Sequence, residues 1–123
     1  MIGRSILVGS PMVKLLTQAN STVINIHSKT QKPKDLCKQA DIIVCAAGVP
    51  KLVDETWLKT NCLVIDVGIH RIEGKLCGDV DFDSAQEKAR YMTPVPGGVG
   101  PMTIASLLQN CYDSFLEKNH ETF

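Results

Sequence analysis

The run Thr93-Pro94-Val95-Pro96-Gly97-Gly98-Val99-Gly100-Pro101-Met102-Thr103 packs three glycines and three prolines into one short stretch. Proline fixes φ at about −65° and removes a donor, whereas glycine reaches φ > 0 and lets a ligand approach the main chain. A helical pattern follows from Ile104 to Leu116, so the run ends as a turn of free backbone N–H groups aimed at whatever lies in front. That suits an oxygen-rich or amide-bearing ligand; the alternative is a rigid turn with Pro101 opening the helix.

A second cluster, Gly3-Arg4-Ser5 with Gly9, departs from the G-x-G-x-x-G pattern, since Ser5 replaces the second glycine and Val8 the third. Its context supplies what the pattern lacks, because it lies between a strand end and a helix start, where backbone amides receive phosphate. A third, His27-Ser28-Lys29, stands at the end of the second strand. A site for NAD carries Asp or Glu there, about 20 residues after the glycines, to hold the ribose 2′-OH. Here no carboxylate would repel a 2′-phosphate, Ser28 can donate to one, and Arg4 can reach it with a fork of donors, so the arrangement favours NADP. Ser28 and Lys29 as solvated turn residues are the alternative. Gly48 and Gly68-Ile69 complete the rim at the ends of the next strands.

Other reactive side chains form no diagnostic pattern. His27 and His70 have no carboxylate or nucleophile at a telling spacing and are read as structural or surface groups. Asp66, Asp79 and Asp81 lack the further oxygen ligands of a calcium loop, so Asp79-Val80-Asp81 is read as capping and turning the chain, with no metal. Cys37, Cys45, Cys62, Cys77 and Cys111 are odd in number without a C-x-x-C pair, which points to reduced packing residues rather than disulfides or zinc.

The elements that must position these groups alternate along the chain. Met1-Ile2 is a strand remnant, so the chain looks cut at its first strand. Ser10-Pro11 opens a helix with a hydroxyl cap; Met12, Leu15, Leu16 and Ala19 keep helical spacing, and Asn20 ends it. Thr22 to Ile26 is β-branched and reads as a strand, with a short helical segment after Pro33. Ile42 to Ala47 and Cys62 to Val67 are apolar runs suited to strands buried on both faces, with a helical turn capped by Asp54 between them. Arg71 to Leu76 forms a hairpin around Gly74, Asp83 caps a helix through Ala89, and Tyr91-Met92 is a last short strand. Such alternation implies a mostly parallel, doubly wound α/β sheet. The apolar residues of the final helix cover more than one face, wider than one sheet requires, so some further surface, of another domain or a partner, should cover part of it.

With 123 residues the chain makes one domain. Thirteen basic against thirteen acidic residues, without a basic run, argue against nucleic acid or an anionic membrane as partner. No apolar run approaches the roughly 20 residues a membrane span needs, and Met1-Ile2-Gly3-Arg4 is no secretory signal. A reducing compartment, cytoplasmic with the mitochondrion as alternative, is expected.

Together the segments resemble the bifunctional methylenetetrahydrofolate dehydrogenase/methenyltetrahydrofolate cyclohydrolase family. Gly3-Arg4-Ser5-x-x-Val8-Gly9-x-Pro11-Met12, His27-Ser28-Lys29-Thr30, Asp66-Val67-Gly68-Ile69, Gly78-Asp79-Val80-Asp81-Phe82 and Pro94 to Thr103 stand in family order over almost all of the chain. The resemblance implies a Rossmann-like fold, truncated at its first strand, with residues 1–123 as the NADP-binding domain and the N-terminal folate domain absent. It implies that Gly3, Arg4, Ser5, Ser28 and Gly48 hold NADP, with Ile69 near the nicotinamide. Pro94, Val95, Pro96, Gly97, Gly98, Val99, Gly100, Pro101 and Met102 would line the folate cleft. Members that use NAD carry Arg where Ser28 stands.

The implied activity is oxidation of 5,10-methylenetetrahydrofolate to the methenyl form, with cyclohydrolase activity in the full-length protein. The family's Tyr-x-x-x-Lys pair belongs to the preceding domain: here Tyr91 is followed four residues later by Val95, and Tyr112 by Leu116. No catalytic residue is therefore assigned in this chain, and the isolated chain is expected to be inactive. Implied partners are a tetrahydrofolate derivative, the folate domain and a second copy contacting residues 70–82. The alternative is a non-catalytic truncated relative serving nucleotide binding or dimerisation.

Overall fold

The computed structural model describes residues 1–120. Its elements in chain order are α1 (Gly9–Gln18), α2 (Pro33–Cys37), β1 (Ile42–Cys45), a 3-10 turn (Glu55–Trp57), β2 (Leu63–Asp66), β3 (His70–Ile72), β4 (Lys75–Cys77), α3 (Phe82–Ala85), β5 (Tyr91–Met92) and α4 (Val99–His120).

The sheet is parallel. β1 pairs with β2 from Ile42–Leu63 to Cys45–Asp66, and β2 pairs with β5 at Leu63–Tyr91 and Val64–Met92. On the other side of β1, Ile2 bridges in parallel to both Cys45 and Ile26. Ile2 N donates to Val44 O and Gly3 N to Ile26 O, each at 2.8 Å. The spatial order is therefore the segment ending at Ile26, then Met1–Gly3, β1, β2 and β5. The direction of winding reverses between Gly3 and β1, which makes that gap the switch point where parallel α/β sheets take their ligands. This is the expected Rossmann-like architecture.

Local chemistry explains the boundaries. Asn20 takes φ +62°, its N–H donating to Thr17 O while Ser21 N–H reaches Leu16 O, so α1 closes on a Schellman motif as the asparagine suggests. Asp54 caps the 3-10 turn, accepting from Thr56 N at 2.8 Å. Glu73 and Gly74, at φ +48° and +82°, make the two-residue turn of the β3–β4 hairpin.

Several expectations are corrected. Ser10 does not cap α1: it lies inside the helix, and the Ser5 hydroxyl instead accepts from Val8 N and Gly9 N at 3.2 and 3.3 Å. The cap position of α3 is Asp81 rather than Asp83, and α3 ends at Ala85. Of the strand expected over Thr22–Ile26 only Ile26 forms a bridge, because the backbone facing it runs only from Met1 to Gly3. α4 begins at Val99, not Ile104, absorbing Pro101 in its first turn, where a missing N–H costs nothing.

The core gathers on one side of the sheet. Ile43, Cys45, Val53, Trp57, Leu58, Cys62, Val64 and Ala85 are buried together, with Leu36 and Ala40 packed against them. β1 is buried on both faces from Ile43 to Cys45, Val44 included, as expected, but the other side is otherwise thinly covered: Ile42 at the start of β1 and Ile65 on β2 are exposed. The reason is α4, whose residues from Gly100 to Lys118 are all exposed. Its apolar surface is wider than sheet packing requires, as the sequence suggests, and it is not spent on the sheet.

Candidate functional site

The switch point is built by close backbone approach. Gly3 holds φ +109°, and a Cβ on it would lie 2.1 Å from Ala46 O, so only glycine lets the first strand end against the loop that leaves β1. Ala46 N donates back to Ile2 O at 2.8 Å. At the end of that loop Gly48 takes φ +71° with open space where a side chain would be. Gly3 and the Ala46–Gly48 loop thus sit side by side at the strand ends that flank the switch-point crevice, with open space beside Gly48.

Arg4 and Ser5 follow directly and are exposed. Ser5 Oγ accepts the amides at the start of α1, which leaves its own proton to donate outward. Gly9 packs so tightly on the turn that a Cβ there would meet Arg4 Cα at 2.6 Å. The adjoining strand end is tied in by Asn25, whose side-chain amide donates to Gly3 O at 3.0 Å. Beyond it His27 to Thr30 close a tight turn: Thr30 N donates to His27 O at 2.8 Å and His27 N to Thr30 Oγ1 at 3.0 Å. Lys29 N donates to His27 Nδ1 at 3.2 Å, a structural use of that histidine. Ser28 and Lys29 project from this turn and are exposed. Neither Arg4 nor Ser28 has a side-chain partner among the described residues.

These residues fit a dinucleotide with a 2′-phosphate. The crevice supplies glycine backbone for close approach and a helix start for phosphate, and the second strand end offers a hydroxyl with nearby cations instead of a carboxylate. Among the described residues no group of three or more His, Cys, Asp or Glu side chains could hold a metal ion.

The remaining predicted residues lie further along the sheet. Ile69 follows Gly68 at the end of β2 and is exposed. The Pro/Gly run leaves β5 anchored by Thr93, whose N–H donates to Val64 O at 3.1 Å and whose hydroxyl accepts from Asp66 N at 2.8 Å. Pro94 to Gly98 form the loop, with a cis Val95–Pro96 bond and φ +97° at Gly97, while Val99 to Met102 belong to α4. Val95 borders a cavity of about 160 Å³ together with Asp66, Gly78 and Phe82. A larger cavity of about 530 Å³, between Thr22, Ile24, Asp41 and Ile42, opens at the amino ends of the strands, away from this rim.

Sequence reasoning missed the two carboxylates that fasten the rim. Asp66, nearly buried, accepts from Gly68 N and Asp79 N through Oδ1 and from Val80 N through Oδ2, each at 3.0 Å. Burial pushes its carboxyl above the ordinary range, while those three amides pull the other way. Asp79 is fully buried, not a turn residue at the surface. Its Oδ2 accepts from Ala47 N at 2.6 Å and Gly48 N at 2.9 Å, and its Oδ1 meets His70 Nε2 at 2.7 Å. The neighbouring Cys45 thiol is driven strongly upward by burial, then by the charges of Asp79 and Asp66, so it stays protonated. The available signal was glycine next to aspartate: a Cβ on Gly78 would lie 1.8 Å from Asp66 Oδ2, and one on Gly68 2.4 Å from the Asp79 carboxyl.

Residues 1–119 match the family model of the tetrahydrofolate dehydrogenase/cyclohydrolase NAD(P)-binding domain. The bifunctional protein FolD of Agathobacter rectalis is 56% identical over 114 residues, covering 92% of this chain and 41% of the relative. That of Clostridium beijerinckii is 49% identical over 119 residues, covering 97% and 42%. Among solved structures, the Campylobacter jejuni bifunctional methylenetetrahydrofolate dehydrogenase/cyclohydrolase superposes with a TM-score of 0.92 at 47% identity, over 95% of this chain and 42% of that one. The Trypanosoma brucei enzyme, complexed with NADP cofactor and inhibitor, gives 0.87 at 41% identity over the same shares. The chain spans about two fifths of the length of the curated relatives it matches.

Proposed function

Because the chain belongs to the tetrahydrofolate dehydrogenase/cyclohydrolase family, as its NAD(P)-binding domain, we propose that it is the NADP-binding unit of an enzyme oxidising 5,10-methylenetetrahydrofolate to 5,10-methenyltetrahydrofolate. A folate-binding domain joined to it would complete the cleft. The observation that carries the cofactor choice is the exposed pair Arg4 and Ser28 on neighbouring strand ends, with no carboxylate beside them. The Trypanosoma brucei relative complexed with NADP supports the same choice.

In this reading Gly3 and Gly48 admit the dinucleotide backbone, Ser5 donates to phosphate, and Arg4 and Ser28 grip the 2′-phosphate. Ile69 flanks the nicotinamide, and Pro94 to Met102 shape the folate side. NADP, when bound, supplies the hydride acceptor. The contribution of this chain is binding, orientation and exclusion of water at one wall of the cleft. No side chain here is assigned a proton transfer, and the acid–base work of cyclohydrolysis falls to the folate domain. A second copy would dock on the β3–β4 edge, and five unpaired thiols accord with a cytoplasmic, reducing environment.

The test is nucleotide titration of the unaltered chain and of Arg4→Ala. Loss of a charge-assisted bond is expected to weaken NADP binding by roughly ten- to a hundredfold and NAD binding by less than about threefold. Equal losses for both would remove the 2′-phosphate assignment.

A further inference from the structure

We propose that Asp79 and His70 are positioning residues that hold the Ala46–Gly48 wall of the crevice, and through it the nicotinamide half of NADP; the inference rests on the NADP reading above. Asp79 touches no part of the open crevice, since its carboxyl is fully buried. What it holds is the backbone that lines it. One oxygen takes the amides of Ala47 and Gly48, and the other is held by His70 Nε2, so the carboxylate cannot rotate without releasing one side or the other.

The clamp is itself fixed from behind. Asp66 accepts the backbone N–H of Asp79 and of Val80, and Gly68 packs where any side chain would collide with the Asp79 carboxyl. Four loops therefore meet on two carboxylates: the one leaving β1, the one leaving β2, the start of β3 at His70, and the segment from Gly78 to Val80. His70 is the adjustable member, because its side chain is only partly buried while Asp79 is sealed. The two backbone amides can only donate to the Asp79 carboxyl, and His70 Nε2 completes its contacts at 2.7 Å.

The position of the clamp identifies what it controls. In the NADP reading the ribose bearing the 2′-phosphate would be held at the second strand end, by Ser28, on one side of the switch point; the Ala47–Gly48 wall is on the other, where it would hold the second mononucleotide half. A ligand carrying only the adenosine half, 2′,5′-ADP, would reach Arg4 and Ser28 but not this wall. A residue that merely stabilises the domain would affect both ligands alike.

The experiment is calorimetric titration of NADP and of 2′,5′-ADP into the unaltered chain, His70→Phe and His70→Gln, with amide exchange followed at Ala47 and Gly48 without ligand. His70→Phe is expected to weaken NADP roughly tenfold, leave 2′,5′-ADP within about twofold, and accelerate exchange at both amides. His70→Gln, whose side-chain amide can donate to Asp79, restores both properties. Equal losses for the two ligands, or no loss for either, overturn the inference while leaving the NADP reading intact. Unprotected Ala47 and Gly48 amides in the unaltered chain overturn it whatever the variants do. Failure of the unaltered chain to bind NADP or 2′,5′-ADP overturns the cofactor reading and the inference with it.

Discussion

Gly3 and Ala46 approach so closely that a Cβ on Gly3 would lie 2.1 Å from the Ala46 carbonyl oxygen. Ala46 has no room to withdraw, because its own N–H is engaged by Ile2 O. The φ of +109° at Gly3 adds a second penalty for any other residue. Gly3→Ala is expected to cost more than about 3 kcal/mol of stability, combining backbone strain with a steric clash. A ligand-free thermal or urea melt measures it, and a loss below about 1 kcal/mol would mean that the lip of the crevice yields.

Asp54 makes a cap whose strength should follow pH. Its carboxylate accepts the Thr56 amide and the Thr56 hydroxyl, and the hydroxyl bond is the first cause holding its pKa below the ordinary 3.8. A carboxyl whose folded pKa is depressed contributes its full stability above its unfolded value and loses it as pH falls through the folded one. Asp54→Ala should therefore cost about 1 kcal/mol near neutral pH, as for other caps. The gap between parent and variant should close as pH drops below 3.8. A gap that persists in acid would assign the loss to packing instead.

What was legible in the sequence is what neighbouring residues decide. Four apolar residues in succession at Ile42–Cys45 make a parallel strand, Asn20 ends a helix because it tolerates φ > 0, and Gly74 turns a hairpin. The glycines of the crevice were readable for the same reason. Asp79 was not, since its donors arrive from Ala47, Gly48 and His70, and the glycine beside it marks close packing without naming those donors. Ser10 looked like the cap because it precedes Pro11, yet the helix starts earlier, at Gly9, and the Ser5 hydroxyl takes the Val8 and Gly9 amides at that earlier start. The start of α4 was obscured by Gly100 and Pro101, residues that read as loop but are tolerated where helix amides have no partner.

The five thiols should separate by access. Cys37, Cys45 and Cys62 are buried, and burial pushes each thiol upward, Cys37 to about 11. Cys111 is exposed on α4 and Cys77 is half-buried at the end of β4. Because the thiolate is the nucleophile, a maleimide at neutral pH should label Cys111 first, Cys77 more slowly, and the other three only on unfolding. Mass spectrometry of a labelling time course reads this directly, and early modification of Cys37 or Cys62 would contradict the packing described.

The contrast between Val64 and Leu108 tests how stability is distributed. Val64, on β2, is 1% exposed and packs within the core, so Val64→Ala should remove roughly 2–3 kcal/mol through lost transfer energy and the cavity left behind. Leu108 is larger but 66% exposed on α4, where its side chain meets mostly water. Leucine and lysine have similar helix propensities, so Leu108→Lys should change stability by less than about 0.5 kcal/mol. The same change should raise solubility, because it places a charge inside the apolar surface formed with Ile104, Leu107 and Tyr112, all exposed. Parallel denaturant titrations at micromolar chain concentration give both values. A cost at Leu108 that rivals Val64 would show α4 to be packed in solution, against a folded core, a second copy or both, and dilution of the sample would separate those two cases.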